Sequence, residues 1–227
     1  MTVQRPGRRA PVSPAPATTA PVTTAPAYWP DVERLFGVRG EPSRCWCRFF
    51  ALTGADWNES TPQDRKAQLR EKFDGGAPAP GVLAFRDGEP VGWCAVEPRD
   101  CYPRILRSQV LKAAGPAAAS RTGVGPDGSV REESVWSVSC FVVAPGHRRS
   151  GVAAALLRAA VGHAFGHGAA VVEAYPVDPA LRPKAGPADL YQGTLKLFLG
   201  AGFGVVSDAV PGRAVVRLAA IPEHQPS

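Results

Sequence analysis

The run Val142-Val143-Ala144-Pro145-Gly146-His147-Arg148-Arg149-Ser150-Gly151-Val152-Ala153 constrains the fold more than any other stretch of the chain. A β-branched segment passes through a Pro-Gly turn into a glycine-containing loop. The loop opens an Ala/Leu-rich stretch over residues 151–166, in which Ala153, Leu156, Leu157, Ala160, Val161 and Ala164 share one helical face. A second apolar run follows at residues 169–175. Strand, helix and strand in that order imply a crossover with two parallel strands, and therefore an α/β arrangement. The start of the helix carries chemistry as well. Its first N–H groups have no intrahelical partner and sit at the positive end of the helix dipole, so the loop is an anion cradle. Gly151 keeps the entrance clear of side chain, while Arg148 and Arg149 supply forked donors suited to the several phosphates of a nucleotide-like ligand.

The rest of the chain reads as one domain with flexible ends. Residues 1–27 hold six prolines, six alanines, five threonines and no aromatic residue, so they predict a disordered, partly polyproline-like tail. Pro30, Val32, Leu35 and Phe36 have helical spacing, and a second helix is expected over 62–73, stopped by Gly75-Gly76. Residues 81–85 and 91–96 form a hairpin with Asp87-Gly88 at its tip. The long irregular stretch 99–133, with a short helix near 105–113, reads as an acceptor-site flap followed by a mobile tip. Residues 135–143 are the central strand. A last helix at 188–200 precedes terminal strands at 203–207 and 213–219, making the sheet mixed, with the domain spanning 28–220 and a flexible end at 221–227.

Composition excludes several classes. No stretch approaches the roughly 18 apolar residues that cross a bilayer, and no apolar block follows the N-terminal arginines, so a cytoplasmic protein without membrane contact is expected. The net charge is +6, but Arg5, Arg8 and Arg9 of the tail leave +3 for the remainder, which is an ordinary surface and not a nucleic-acid footprint. Five cysteines, an odd number, argue against a disulfide framework. Cys45-Trp46-Cys47 lacks zinc or redox spacing, and His163 and His167 lack the glutamate of a zinc-protease helix, so no metal is expected. The Gly-x-Gly-x-x-Gly turn of a dinucleotide-binding oxidoreductase is also missing.

The spacing Arg148-x-x-Gly151-x-Ala153 resembles the pyrophosphate signature of the GCN5-related N-acetyltransferase (GNAT) family. Val143-Ala144-Pro145 matches the strand end that precedes the signature there, and Phe198-Leu-Gly-Ala-Gly202-Phe203 matches a later helix end. The likeness spans about residues 81–220 and is specific over 134–205. It implies a mixed, mostly antiparallel sheet flanked by helices, with a central parallel pair splayed at an acetyl-CoA site. It also implies an acyltransferase that passes an acetyl group from acetyl-CoA to a primary amine by direct attack in a ternary complex, without a metal. The acceptor is a small-molecule amine ahead of a protein amine, and dimers are common in the family.

Carried onto this chain, the resemblance gives Phe141 C=O and Val143 N–H to the pantetheine arm. Arg148, Arg149, Ser150, Gly151, Val152 and Ala153 go to the pyrophosphate, and Phe198 to the cofactor. Catalytic candidates are Glu173 as base, with Glu97 second. Phe198 stands where many members carry the tyrosine that reprotonates the thiolate, so either Tyr191 or Tyr175 replaces that acid or solvent protonates the thiolate, whose low basicity makes an acid less necessary. Glu97, Asp100, Glu132, Glu133, Glu173 and Asp178 are candidate rim acids. Trp93, Tyr102, Trp136 and Tyr175 are candidate acceptor walls. The competing reading is a non-catalytic acyl-CoA sensor on the same fold.

Overall fold

The computed structural model describes residues 20–37, 40–76, 78–108, 122–124, 130–132, 134–183, 186 and 188–221. The strands are β1 (Thr23–Pro26), β2 (Gly81–Arg86), β3 (Glu89–Pro98), β4 (Thr122–Val124), β5 (Val130–Glu132), β6 (Val135–Val143), β7 (Val171–Ala174), β8 (Gly204–Val210) and β9 (Arg213–Ala219). The helices are α1 (Trp29–Phe36), α2 (Glu41–Cys45), α3 (Gly54–Glu59), α4 (Pro62–Asp74), α5 (Pro103–Arg107), α6 (Val152–Gly166) and α7 (Leu195–Leu199). Seven strands form one sheet in the order β1-β2-β3-β6-β7-β9-β8, and β4 pairs with β5 separately. Only β6 and β7 run parallel in the large sheet, joined by α6 as the crossover that the sequence predicts.

Both faces of the sheet are covered. On one, α6 buries Val152, Leu156, Leu157, Ala160 and Ala164 against Val82, Val96, Val138 and Val172. Leu156 and Leu157 are fully buried, and each such leucine stabilises the fold by roughly 2 kcal/mol. On the other face α1 and α4 lay Trp29, Val32, Leu35, Phe36 and Leu69 over Leu83, Trp93 and Val142. Capping boxes start α3 and α4, with Thr53 paired to Asp56 and Thr61 to Asp64. The β2–β3 tip puts Asp87 at φ 50 and Gly88 at φ 77, the left-handed pair of a type I′ hairpin.

Three expectations about elements change. The edge strand β1 lies inside the segment read as tail, paired antiparallel to β2 over Thr23↔Phe85 to Pro26↔Val82. Pro26 is tolerated there because an edge strand need not donate on its outer side. The expected last helix is interrupted: a 3-10 turn (Asp189–Gln192) and α7 flank Gly193 at φ 78. The short helix near 105–113 is α5, shifted earlier; residues 109–121, 125–129 and 133 of the expected flap, and 1–19 and 222–227 of the expected tails, lie outside the described residues.

The feature that creates a site is an irregularity in β6. Opposite β3, Ala95 pairs with Cys140 but Val96 pairs with Val138, so Ser139 is an extra residue on β6. The bulge reverses the side-chain phase. Trp136 and Val138 face the α6 core, and beyond the bulge Phe141 does so too, while Cys140 and Val142 turn to the opposite face. Pairing with β7 ends at the same level, at Val138↔Ala174. The chain then leaves through Pro176, which has no N–H to continue the ladder, and Val177 bridges to Thr194 and Arg213. The parallel strands therefore splay from residue 139 onward.

Candidate active site

Past the splay, one edge of β6 has no ladder partner among the described residues. Ala144 N–H donates to Val91 O, which sets the antiparallel alternation along β6: residues 144, 142 and 140 bond toward β3, and Phe141 and Val143 turn their N–H and C=O into the cleft. Val143 O accepts from Arg148 Nε at 3.4 Å, which leaves its N–H facing the opening. Phe141 C=O and Val143 N–H, the groups assigned to a bound arm from the sequence, both face the opening.

The loop between β6 and α6 is built to present donors. After the 3-10 turn at Pro145–His147, Arg148 is extended, Arg149 takes φ 58 and the N-cap Gly151 takes φ 83. A left-handed arginine costs on the order of 1 kcal/mol, and such strain persists where the surroundings fix it. Two left-handed positions in three residues give the curled backbone from which an anion nest is made. No side chain caps α6. Ser150 Oγ donates to His147 O at 2.6 Å, and Arg86 Nη2 from the hairpin donates to Ser150 O at 2.8 Å, holding the loop from behind.

Two clefts flank the free edge. The first, of about 440 Å³, is bounded by Phe141, Val143, Arg148, Arg149, Gly151, Val152 and Ala153 on one side and by Gly193, Thr194 and Leu197 on the other. Seven of the residues assigned to the cofactor thus come together. The second, of about 400 Å³, lies on the opposite face of β6 and is lined by Cys140 and Val142, by Cys45, Cys47, Phe49 and Phe50, and by Trp57. Tyr191 lines both clefts and stands at their junction. Burial is the main influence pushing its phenol above the usual value, so it stays protonated.

Several assigned residues are placed elsewhere. Glu173 is 3% exposed and bound on three sides. Arg217 Nε donates to it at 2.7 Å, Tyr175 OH donates to its other oxygen, and Arg99 stands 3.8 Å away. A carboxylate so engaged, and absent from the lining of either cleft, is not positioned to accept a proton from an amine. Glu97 is likewise buried and paired with Lys72 at 2.8 Å. Tyr175 belongs to the Glu173 network and also contacts Ser137 Oγ. Phe198 is fully buried, its ring edge-on to Phe141 and Phe203, so it backs the cofactor cleft without reaching into it. Ser150 turns its hydroxyl to His147 O instead of the cleft. Trp93, Tyr102 and Trp136 are core residues. Of the remaining rim acids, Asp100 and Asp178 line neither cleft, and Glu133 lies outside the described residues.

The wall of the second cleft was not foreseen. Cys45, Cys47 and Cys140 meet there although 93 positions of sequence separate Cys47 from Cys140. Burial, and after it the neighbouring Cys140, pushes the Cys45 thiol up to about 11, while a hydrogen bond with Cys140 and then burial hold Cys47 well above its usual value, so both stay neutral. Thr194 was detectable: its hydroxyl accepts from Leu197 N–H at 3.4 Å as the N-cap of α7, and a threonine before an apolar run is the usual signal.

A splayed parallel pair beside a helix start with no side-chain cap makes a site for an elongated ligand that carries phosphate. The acetyltransferase (GNAT) family profile matches residues 46–184, and the chain belongs to that family, whose members use acetyl-CoA as acetyl donor. No curated protein sequence matches the chain. Similar solved structures include an N-acetyltransferase from Staphylococcus aureus Mu50, at 13% identity and TM-score 0.49, covering 88% of this chain and 99% of that one. A ribosomal-protein-alanine N-acetyltransferase from Brucella melitensis has 17% identity and TM-score 0.48, covering 87% and 99%. The yncA protein of Salmonella typhimurium, solved with its cofactor acetyl-CoA, has 15% identity and TM-score 0.46, covering 91% and 98%.

Proposed function

We propose that the protein acetylates a primary amine of a small molecule by direct attack on acetyl-CoA, with both substrates bound together. The observation that carries this reading is the position of Tyr191, shared by a cleft that ends in the anion nest and a cleft of separate, apolar character. Acetyl-CoA fits the first: Arg148, Arg149 and the N–H groups at the start of α6 receive the pyrophosphate, and Phe141 C=O and Val143 N–H pair with the pantetheine arm. The thioester then lies at the junction, where the Val143 N–H faces the oxygen on which charge develops. A preset donor of this kind lowers a barrier by roughly 3 kcal/mol.

The amine enters from the second cleft, having lost its proton to water there. Its nitrogen forms the new bond to the acetyl carbon and gives up its surplus proton to water as the carbon–sulfur bond breaks. Tyr191 gives its proton to the departing thiolate and takes one back from solvent. Holding both substrates at one junction supplies most of the remaining acceleration. A small acceptor is favoured over a protein one because the second cleft is a walled cavity of about 400 Å³ between β6, the 46–50 turn, α3 and the 189–192 turn.

Steady-state kinetics test this. Tyr191→Phe should lower kcat about 100-fold, at the low end for lost general acid catalysis, with the KM for acetyl-CoA little changed. The Arg148→Ala, Arg149→Ala double variant should weaken acetyl-CoA binding at least about tenfold in calorimetry, since charge-assisted hydrogen bonds are lost. Full turnover in Tyr191→Phe would remove the tyrosine from the chemistry, and undiminished affinity in the double variant would remove the nest from cofactor binding.

A further inference from the structure

The second cleft has a composition that selects among amines, an inference that rests on the small-amine reading above. Its outer wall is a cluster of rings: Phe49 meets Phe50 edge-on at 5.1 Å and Trp57 at 5.3 Å. Phe49 is 40% exposed, so part of its ring remains open to a ligand. Each of the two outer rings already carries a guanidinium on one face. Arg104 stands 4.1 Å over Phe49, pinned by the carbonyls of Leu52 and Thr53, and Arg65 stands 3.5 Å over Trp57, pinned by Trp57 O, Ser60 O and Arg44 O. A ring whose π electrons are drawn toward one cation attracts a second weakly. What these rings still offer is flat apolar contact, the kind that another aromatic ring uses best.

The floor agrees with the wall. Cys45 and Cys47 remain neutral thiols, and with Cys140 and Val142 they give a soft surface without charge. The charged groups that line the cleft are few. Arg213 is committed to Asp189 at 2.8 Å and to Gln192 at 2.6 Å, and Arg182 adds a second cation 3.8 Å from Asp189. Glu41, exposed in the first turn of α2, is the lining carboxylate that has no cationic partner among the described residues. One free negative charge beside an apolar, ring-walled cavity complements a ligand with one positive charge and a flat apolar body. A substrate carboxylate would meet Glu41, while Arg213, the arginine that lines the cleft among the described residues, is already engaged. A polyamine would bring further charges that nothing in the cleft balances.

We propose that the second cleft is a site for aryl-alkylamines: Phe49, Phe50 and Trp57 hold an aromatic group of one or two rings, and Glu41 draws in the single ammonium of the attached arm. At about 400 Å³ the cavity stands near the lower end of small-molecule sites, which suits a ligand of that size.

The test is a panel of acceptors under saturating acetyl-CoA, with acetylated product quantified by mass: 2-phenylethylamine, tryptamine, hexylamine, phenylalanine and spermidine. The two aryl-alkylamines should exceed the other three in kcat/KM by at least about tenfold. Phe49→Ala and Trp57→Ala should each reduce the ratio of tryptamine to hexylamine turnover by up to about tenfold, the worth of a lost aromatic pair. That ratio does not depend on how much of a preparation is folded, and the exposed Phe49 gives a second variant should Trp57→Ala fold poorly. Glu41→Gln should raise the KM for tryptamine and leave that for acetyl-CoA unchanged. Hexylamine or spermidine matching the aryl-alkylamines, or a ratio unmoved in both ring variants, overturns the proposal while leaving the acetyltransferase reading intact. Failure of every amine in the panel, with acetyl-CoA still bound, overturns the small-amine reading itself.

Discussion

Single residues show most sharply what local sequence carries and what it does not. The loop from Arg148 to Ala153 was legible because everything it needs is contiguous: a strand end, a left-handed glycine and a helix start. Glu173 was not, because what decides its role lies across the sheet. Arg217 on β9 stands opposite it in register, and Tyr175 and Arg99 close the remaining sides. No spacing rule within β7 reveals those partners. A buried carboxylate joined to a buried arginine is costly to break, since the survivor is left uncompensated, at about 3–5 kcal/mol. Glu173→Gln should therefore lower the thermal midpoint, by roughly 10 °C for a domain of this size, while kcat of the remaining folded protein stays within a few-fold of wild type. Calorimetry paired with active-site-normalised kinetics measures both. A large fall in kcat without loss of thermal stability would return Glu173 to the role of base. Phe198 follows the same logic: its position in the chain matches a catalytic tyrosine, but its ring is spent on Phe141 and Phe203.

Elements formed from local signals were read well, and those set by tertiary contact were not. The strand at Val135–Val143, the helix after Gly151 and the Asp-Gly hairpin follow from periodicity and turn chemistry. The bulge at Ser139 does not, because a strand's alternation gives no hint that its phase will reverse, and that reversal sends Cys140 and Phe141 to different clefts. The break at Gly193 is similar. A side chain there would have its Cβ 2.8 Å from Phe198 Cε2, so packing holds the residue in a left-handed conformation that ends one helix before the next begins. The position of α6 over the sheet depends on a comparable contact. A Cβ on Gly92 would lie 2.8 Å from Val152 Cγ1, 3.0 Å from Leu156 Cδ1 and 3.3 Å from Val142 O. Gly92→Ala should lift the start of α6, costing about 1–3 kcal/mol, and should also weaken acetyl-CoA binding, because Val152 is the first residue of the helix to which the proposed function assigns the pyrophosphate. Urea unfolding and calorimetric titration of the same variant separate the two effects. Loss of stability with full affinity would mean that the nest tolerates displacement of its helix.

At the scale of the whole molecule, the sheet is completed by a strand that composition assigned to a tail. Thr23–Pro26 has no apolar pattern and all four residues are exposed, so only its pairing with β2 distinguishes it from the proline-rich segment before it. Beyond that edge, α6 is fastened at its far end by histidines. His163 Nε2 lies 3.0 Å from Ala79 O, in the approach to β2, and the His167 ring stacks on Trp136 of β6 at 6.0 Å. Burial lowers the His163 pKa, its contact with Ala79 O opposes that, and neighbouring His167 lowers it further. The net depression means that the unfolded chain binds this proton more readily than the folded one. His163 therefore contributes its full share of stability above its usual value of 6.5, and that share is lost as the pH falls from there through the lower folded value. Asp56 and Asp64, held below their usual 3.8 by the Thr53 and Thr61 hydroxyls, titrate in a more acid range, so the imidazole step is separable from theirs. Denaturant midpoints measured between pH 7.5 and pH 5 should fall with acidification in the wild type. The fall should be shallower in His163→Gln, whose amide keeps a donor for Ala79 O but takes up no proton. Equal slopes in the two proteins would place the acid sensitivity outside this clamp.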